Sequence, residues 1–253
     1  MASLAEDWPE AVETVNPSGS SEIVLICEHA SNHMPAEYRG LGVSPADLRT
    51  HIAWDVGAAE VARGLAEVLD APAFLGTYSR LLIDLNRPFR SPASIPARSE
   101  ATDIPGNLGL SEAEIERRRR TMFTPFHDKV ASYLDRRRAA GRPTRIVTIH
   151  SFTPVFLGVA RPWHAGILFD RSHDFAEAVI EGLARSSGLN VAANQPYTVD
   201  RESDYAIPVH GTDRDLPAIL VEIRNDLITD ANGIAEWVGR LGPVLRSFHA
   251  GQG

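Results

Sequence analysis

The sequence predicts an α/β fold, a three-layer sandwich in which helices cover both faces of a mainly parallel or mixed central sheet. Short continuous apolar runs such as Ile23–Cys27 are typical of strands that are buried on both faces. These runs alternate with longer segments, such as residues 55–69, in which apolar residues recur at helical spacing. Alternating strands and helices are the signature of parallel strands joined by crossover helices.

The other elements follow from the same two periodicities and from capping and breaking residues. Ser111 with Glu114 forms a capping box at the start of a long helix, and Gly141 and Pro143 end it. The remaining predicted strands are 74–75, 81–85, 146–149, 167–169, 189–192 and 218–223, and the predicted helices are 55–69, 111–138, 173–186 and 232–248. Residues 86–110 are rich in proline and predict a long functional loop.

The domain organisation predicted is simple. Residues 1–20 are expected to form an irregular N-terminal arm that ends in the turn-like segment Asn16-Pro17-Ser18-Gly19-Ser20. With 43% hydrophobic residues and no linker-like stretch, residues 21–253 are expected to form one domain.

Composition narrows the class of protein. A net charge of −8 argues against a nucleic-acid partner. The single cysteine, Cys27, excludes an internal disulfide and favours a reducing compartment. No stretch approaches the ~20 apolar residues of a membrane span, and the acidic start lacks the apolar core of a signal peptide. We therefore expect a cytoplasmic protein that neither enters a membrane nor binds nucleic acid.

Polar residues at three strand ends carry the predicted chemistry. His29 follows the strand Ile23–Cys27, His150 ends the strand at 146–149, and Glu222 lies in the strand at 218–223. The C-terminal ends of parallel strands meet at one rim of a sheet, where ligands bind. Two histidines and a carboxylate form the usual catalytic zinc set, and a further carboxylate can act as general base. The pattern therefore predicts a catalytic Zn²⁺, or another divalent metal, at this rim.

The residues alone leave several choices for the carboxylate ligand. Asp55 is the first choice, although an aspartate that opens a helix is equally explained as an N-cap. Glu28 and Asn32 are weaker alternatives. Cys27 could in principle act as a nucleophile with His29, but it lies within an apolar run, where a buried, inert thiol is the common outcome.

Arginines supply candidate contacts for a substrate carboxylate, since the guanidinium fork binds carboxylates in a bidentate way. Arg80 precedes the predicted strand 81–85, and the pair Asn86-Arg87 follows it at the start of the long loop. Arg161 and Arg224 are further candidates for substrate binding. Surface ion pairs are the alternative explanation for each arginine.

Six motifs occur in an order that resembles the N-formylglutamate amidohydrolase family. They are CEHASNHMP, HIAWDVGA, YSRLLIDLNRP, IPGN, TIHSFTP and VEIRNDL, spread over roughly residues 22–230. The resemblance implies a phosphorylase/hydrolase-like fold similar to that of the zinc carboxypeptidases. It also implies hydrolysis of N-formyl-L-glutamate to formate and glutamate, a step of histidine degradation.

The resemblance also implies roles for individual residues. His29 and His150 correspond to metal ligands, Glu222 to the general base, and Arg80, Asn86 and Arg87 to residues that bind carboxylates. Carboxypeptidase-like enzymes carry a glutamate three residues after the first histidine ligand, whereas this chain has Asn32 there. A charged third ligand must therefore come from elsewhere, and Asp55 is the first choice.

These observations lead to two hypotheses. The first is a metal-dependent amidohydrolase in which His29, His150 and Asp55 hold zinc, Glu222 activates water and Arg80 stabilises the oxyanion. Its partner is a small amide that carries a carboxylate, N-formyl-L-glutamate or a related N-acyl amino acid, and the loop at 91–108 folds over the site. The alternative is a non-catalytic binding protein for acidic metabolites on the same fold.

Overall fold

The protein forms a seven-stranded mixed sheet with helices on both faces, as the sequence predicts. The computed structural model describes residues 7–185 and 188–248. Residues 1–6 of the predicted arm, Ser186 of the predicted helix 173–186 and the last residues of the predicted domain, 249–253, lie outside these ranges. Among the described residues, no helix combines the length and apolar character needed to cross a membrane.

Four parallel strands form the centre of the sheet, and antiparallel or short strands complete its edges. The strands are β1 (Val12–Val15), β2 (Ile23–Cys27), β3 (Ala73–Gly76), β6 (Arg145–Phe152), β9 (Ala165–Leu168), β10 (Val191–Ala193) and β11 (Ala218–Arg224). Their order in the sheet is β1-β3-β2-β6-β11-β9-β10. Strands β3, β2, β6 and β11 run parallel, while β1 and β9 are antiparallel to their neighbours β3 and β11.

Helices pack on both faces of the sheet. Three lie on one face: α1 (Ala58–Leu69), α4 (His173–Ala184) and α5 (Ala231–Arg246). The other face is covered by α3 (Thr124–Ala139), which continues α2 (Glu112–Arg118) through a π-helical turn at Arg119–Phe123. Successive side chains of β2 point to opposite faces of the sheet. Leu25 and Cys27 therefore pack on the α1 side, while Val24 and Ile26 pack on the α3 side.

Short elements complete the chain. Two small hairpins are formed by β4 (Arg98–Ser99) with β5 (Thr102–Asp103) and by β7 (Val155–Phe156) with β8 (Val159–Ala160). Short helical turns occupy Ala36–Gly42, Asp47–Arg49, Pro105–Asn107, Ala206–Gly211, Thr212–Arg214 and Asn225–Leu227.

Two expectations about local structure are wrong. The arm at 1–20 was expected to be irregular, yet it contains β1, which pairs with β3 at the sheet edge. The segment 81–85 was expected to be a strand, but its backbone forms turns, with the amide of Leu82 bound to Ser79 and the amide of Arg87 bound to Asp84. Its apolar side chains are buried because they pack into the core on the α3 side, and among the described residues the segment pairs with no strand. An apolar run alone does not distinguish these two outcomes.

A buried histidine pair joins α3 to the turn at Ala206–Gly211. The Nδ1 atom of His127 lies 3.0 Å from Nε2 of His210, and Nε2 of His127 donates to the carbonyl oxygen of Leu85 at 2.9 Å. Burial, together with the nearby charge of His210, holds the pKa of His127 well below its usual range. Burial and the charge of Arg214 lower the pKa of His210 to about 4. Both rings are therefore neutral in the folded protein near neutral pH.

This pair predicts acid sensitivity of the fold. In the unfolded chain a histidine takes up its proton near pH 6.5, whereas folded His210 stays neutral down to about pH 4. Unfolding therefore takes up a proton between these values, and stability falls as the pH drops through that window. His210 alone should lower the free energy of unfolding by about 2 kcal/mol between pH 7.5 and pH 5. Urea denaturation at both pH values measures this, and the loss should be smaller for His210→Gln; an equal loss in both proteins would contradict it.

Candidate active site

Three adjacent parallel strands bring the predicted residues to one rim of the sheet. Strands β2, β6 and β11 are neighbours, so their C-terminal ends lie side by side. His29 comes two residues after the end of β2, while His150 lies in β6 directly opposite Glu222 of β11. All three side chains are buried.

His29, Asp55 and His150 converge on a single point. The Oδ2 atom of Asp55 lies 2.8 Å from Nδ1 of His150 and 3.4 Å from Nδ1 of His29. One potential ligand atom from each residue lies within 4.8 Å of the other two. Ligand atoms ~2.1 Å from a tetrahedral Zn²⁺ are about 3.4 Å apart, so these spacings suit one bound ion. The backbone amide of Asp55 donates to the carbonyl oxygen of His29 at 2.9 Å, which holds the two segments together.

Two further carboxylates orient the histidine rings. Nε2 of His29 lies 2.7 Å from Oδ1 of Asp84, and Nε2 of His150 lies 3.0 Å from Oε2 of Glu28. Each Nε2–H therefore donates to a carboxylate, which leaves each Nδ1 facing Oδ2 of Asp55. Metal-binding histidines in proteins are held by carboxylates in the same way, which fixes the tautomer.

The charges at this point favour a bound cation. Burial alone would raise the pKa of Asp55, but His29 and His150 outweigh it and hold the pKa well below its usual range. Burial would likewise lower the pKa of His150, but Glu28 and Asp55 raise it well above the usual value. The carboxylate is thus ionised and attracts positive charge. A divalent ion would supply that charge without a proton on the imidazoles, so the donor set fits a metal.

Arg80 bridges Asp55, a candidate metal ligand, and Asp84, which orients the ring of His29. Its Nε and Nη2 atoms donate to Oδ2 of Asp84 at 3.0 and 2.7 Å, and Nη1 donates to Oδ1 of Asp55 at 3.3 Å. Burial would raise the pKa of Asp84, but Arg80 and His29 outweigh it and lower the pKa far below the usual value. A guanidinium has five N–H donors. These three bonds therefore leave Arg80 with two donors for a substrate.

Glu222 is placed beside the candidate metal ligands with a free acceptor. Its side chain is buried, and Oε2 has no hydrogen-bond partner among the described residues. Burial, helped by the negative charge of Asp55, raises the pKa of Glu222 to about 7 against the opposing charge of His150. A carboxyl group of this kind can take up and release a proton near neutral pH.

These groups line a cavity of about 680 Å³. Asn86 lies in its wall, and the Oδ1 atom of Asn86 accepts from the amides of Tyr205 and Ala206 at 3.2 and 3.0 Å. That bonding assigns the Asn86 oxygen and leaves the Nδ2 donors for other partners. Arg87, also in the wall, pairs with Asp204 at 3.0 Å. We refer to this space as the main cavity.

Gly166 allows the segment around Gln195, which forms one wall of the main cavity, to approach the sheet closely. Gly166 of β9 lies opposite Glu222, and a Cβ atom there would come within 1.5 Å of the carbonyl oxygen of Gln195. The segment that carries Gln195 and Tyr197 forms part of the main cavity wall. A side chain at position 166 would push this wall away from Glu222.

The other two predicted arginines occupy different surroundings. Arg161 is buried, and its guanidinium stacks on Phe156 and Tyr197, whose side chains line the main cavity. Its Nη1 atom is buried without a hydrogen-bond partner in the described part of the chain. Arg224 instead pairs with Asp226 at 2.7 Å and does not reach the main cavity.

Comparisons with known proteins agree with this architecture. The family model for N-formylglutamate amidohydrolase matches residues 21–229, most of the chain. The chain belongs to the N-formylglutamate amidohydrolase family. No curated protein matches it in a sequence comparison.

Solved structures show the same fold. The structure of the gene product Atu2144 from Agrobacterium tumefaciens matches with a TM-score of 0.91 and 40% sequence identity, covering 96% of both chains. An N-formylglutamate amidohydrolase from Ralstonia eutropha JMP134 matches with a TM-score of 0.66 and 19% identity, over 94% of this chain and 96% of that one. At this identity the second match supports the fold alone.

Most of the predicted site residues of this amidohydrolase meet at the main cavity. Those in its wall are His29, Asp55, Arg80, Asn86, Arg87, His150 and Glu222. Of the alternative third ligands, Glu28 is engaged by His150, and Asn32 donates to the carbonyl oxygen of Leu48. Burial raises the pKa of Cys27 well above its usual value, which is typical of an inert thiol.

Asp84, which anchors both His29 and Arg80, was not among the predicted site residues. It was hidden because 81–85 was assigned to a strand, where an aspartate between apolar residues points to no particular role. A signal was present, since Asp84 is the charged residue within an otherwise apolar run that leads into Asn86.

The role of Arg80 as a counterion predicts a large stability effect. Arg80→Met would leave Asp55 and Asp84, both about 4% exposed, without their shared cation. Removing one partner of a buried ion pair costs about 3–5 kcal/mol. Urea denaturation of the protein in chelator should show this loss, whereas Arg90→Met, which breaks an exposed pair with Glu112, should have a far smaller effect on the free energy of unfolding. Equal losses in the two variants would contradict the proposed burial of charge.

Proposed function

We propose that this chain is a metal-dependent amidohydrolase that cleaves the amide bond of N-formyl-L-glutamate or a closely related N-acyl amino acid. The products are formate, or the corresponding acid, and the free amino acid. Membership of the N-formylglutamate amidohydrolase family supports the reaction class. The observation that carries the metal dependence is the convergence of His29, Asp55 and His150 within 4.8 Å.

The proposed metal is Zn²⁺, held by Nδ1 of His29, Nδ1 of His150 and Oδ2 of Asp55. Nitrogen and oxygen donors in a three-residue set suit zinc, which keeps an open position in catalytic sites. When bound, Zn²⁺ lowers the pKa of a coordinated water to about 7 and polarises a carbonyl oxygen. Asp84 and Glu28 keep the two imidazoles in the required tautomer.

Glu222 is the proposed general base and general acid. Its Oε2 atom, which has no partner among the residues that the structure describes, takes a proton from the attacking water and then donates it to the nitrogen of the leaving amine. One water is consumed, the C–N bond breaks, and the carbonyl carbon gains the oxygen. The two free N–H donors of Arg80 stabilise the negative charge that develops on the carbonyl oxygen.

Asn86, Arg87 and Arg161 are the proposed contacts for the carboxylate of the amino acid. Asn86 and Arg87 face the main cavity, and Arg161 adds positive charge behind Tyr197 with a buried donor that lacks a protein partner in the described part of the chain. A buried, unsatisfied N–H gains the most from an anionic ligand. Arg224 is assigned no role in substrate binding, because it does not line the main cavity.

Metal content and turnover test this function together. The purified protein should contain about one zinc or similar divalent ion and should hydrolyse N-formyl-L-glutamate in a chelator-sensitive way. His150→Ala should lose both the metal and the activity. Glu222→Gln should keep the metal and lose about 10²- to 10⁴-fold in kcat, as expected for a lost general base.

The control is His173→Ala, which changes a histidine at the start of α4 that lines a separate cavity and not the main one. It should retain both metal and turnover. Full activity in both His150→Ala and Glu222→Gln would exclude the mechanism. Metal loss in all three variants would show that binding is not specific to this site.

A further inference from the structure

A second cavity of about 280 Å³ adjoins the main cavity. Asp55, Arg80 and Arg87 line both, so the two cavities meet beside the candidate metal ligands. The far wall of the second cavity comes from His51 and from the hairpin of β4 and β5 within the proline-rich loop. We call this space the side cavity; the residues that line it but not the main cavity include Ile52, Leu81, Ser99, Glu100 and Thr153.

The position of Glu222 decides which half of a substrate enters each cavity. Glu222 and Asn86 line the main cavity and not the side cavity. In the proposed reaction Glu222 gives a proton to the leaving nitrogen, so the amino acid behind that nitrogen must lie in the main cavity. The acyl substituent lies on the other side of the carbonyl carbon. It therefore points past Arg80, where the side cavity opens.

The side cavity is much larger than a formyl group needs. A formyl carbon carries only a hydrogen in that direction. The side cavity measures about 280 Å³, many times the volume of about 30 Å³ that one water molecule occupies in the liquid. Ile52 and Leu81 make part of its wall apolar. Unfilled apolar space gives no binding energy. Each substrate methylene that packs against an apolar wall improves discrimination over the substrate that lacks it by roughly tenfold or more.

The charges at the far end favour an uncharged chain. His51 and Glu100 are bonded to each other at 2.6 Å, and Arg98 pairs with Asp103. Among the described residues on this far wall, no cation is therefore left without a carboxylate partner. An acyl group that carried its own carboxylate would have to compete with Glu100 for His51 and with Asp103 for Arg98.

We propose that the side cavity binds a short, uncharged acyl chain longer than formyl, so that amino acids carrying such a chain are substrates at least as good as the N-formyl one. The proposal rests on the amide hydrolysis put forward above and specifies its substrate class. The main cavity holds the amino acid, and the proline-rich loop, through β4, sets the length of chain that is accepted.

Substrate series and one cavity-filling variant test this assignment. The metal-loaded enzyme is assayed with N-formyl-, N-acetyl- and N-butyryl-L-glutamate. The wild-type kcat/KM for the butyryl substrate should equal or exceed that for the formyl substrate. Ser99→Phe places a ring in the side cavity and should lower the ratio of butyryl to formyl kcat/KM about tenfold or more. The control Ala101→Phe, at the exposed tip of the same hairpin, should leave the ratio as in the wild type.

The outcomes separate the two proposals. Hydrolysis of the formyl substrate alone would overturn the acyl assignment and leave the amidohydrolase intact. An unchanged ratio in Ser99→Phe would also overturn the assignment, since the chain would then lie elsewhere. Failure of all three substrates with the metal-loaded enzyme would overturn both proposals.

Discussion

An excess of buried negative charge at one rim of the sheet is the constraint around which this molecule is organised. Glu28, Asp55, Asp84 and Glu222 are each at most 6% exposed. Arg80 contacts Asp55 and Asp84, His29 lies between the same two carboxylates, and His150 lies between Asp55 and Glu28. Isolated buried carboxylates are too costly to keep ionised. A divalent cation between His29, Asp55 and His150 would balance this arrangement, which is why the donor geometry and the charges lead to the same conclusion.

The fold supplies that rim through adjacent strands and a hydrogen-bonded loop. Strands β2, β6 and β11 bring their ends together, and the register places His150 opposite Glu222. The proline-rich loop is fixed by Asn107, whose amide donates to the carbonyl oxygens of Leu81 and Pro96 and accepts from Arg118. Such anchoring lets a long loop form cavity walls at defined distances from the reacting groups, as precise positioning requires.

Much of the site could be predicted because it follows from local pattern and strand topology. His29 and His150 each follow an apolar run, and Glu222 lies in a third. To predict that they meet required only the rule that parallel strands end at one rim. Asp55 could be proposed but not separated from an N-cap, since that choice depends on the distant ring of His150. The role of Asp84 and the side cavity depend on contacts between segments far apart in sequence. Local periodicity contains no information on such contacts, and the apolar character of 81–85 even indicated a strand.

A crystal structure of the metal-loaded protein with anomalous scattering recorded at the zinc edge tests the central claim most directly. A single strong peak is expected ~2.0–2.2 Å from Nδ1 of His29, Nδ1 of His150 and Oδ2 of Asp55, with both Nε2 atoms still bound to carboxylates. A peak bound through either Nε2 atom, or one at another place in the chain, would contradict the account.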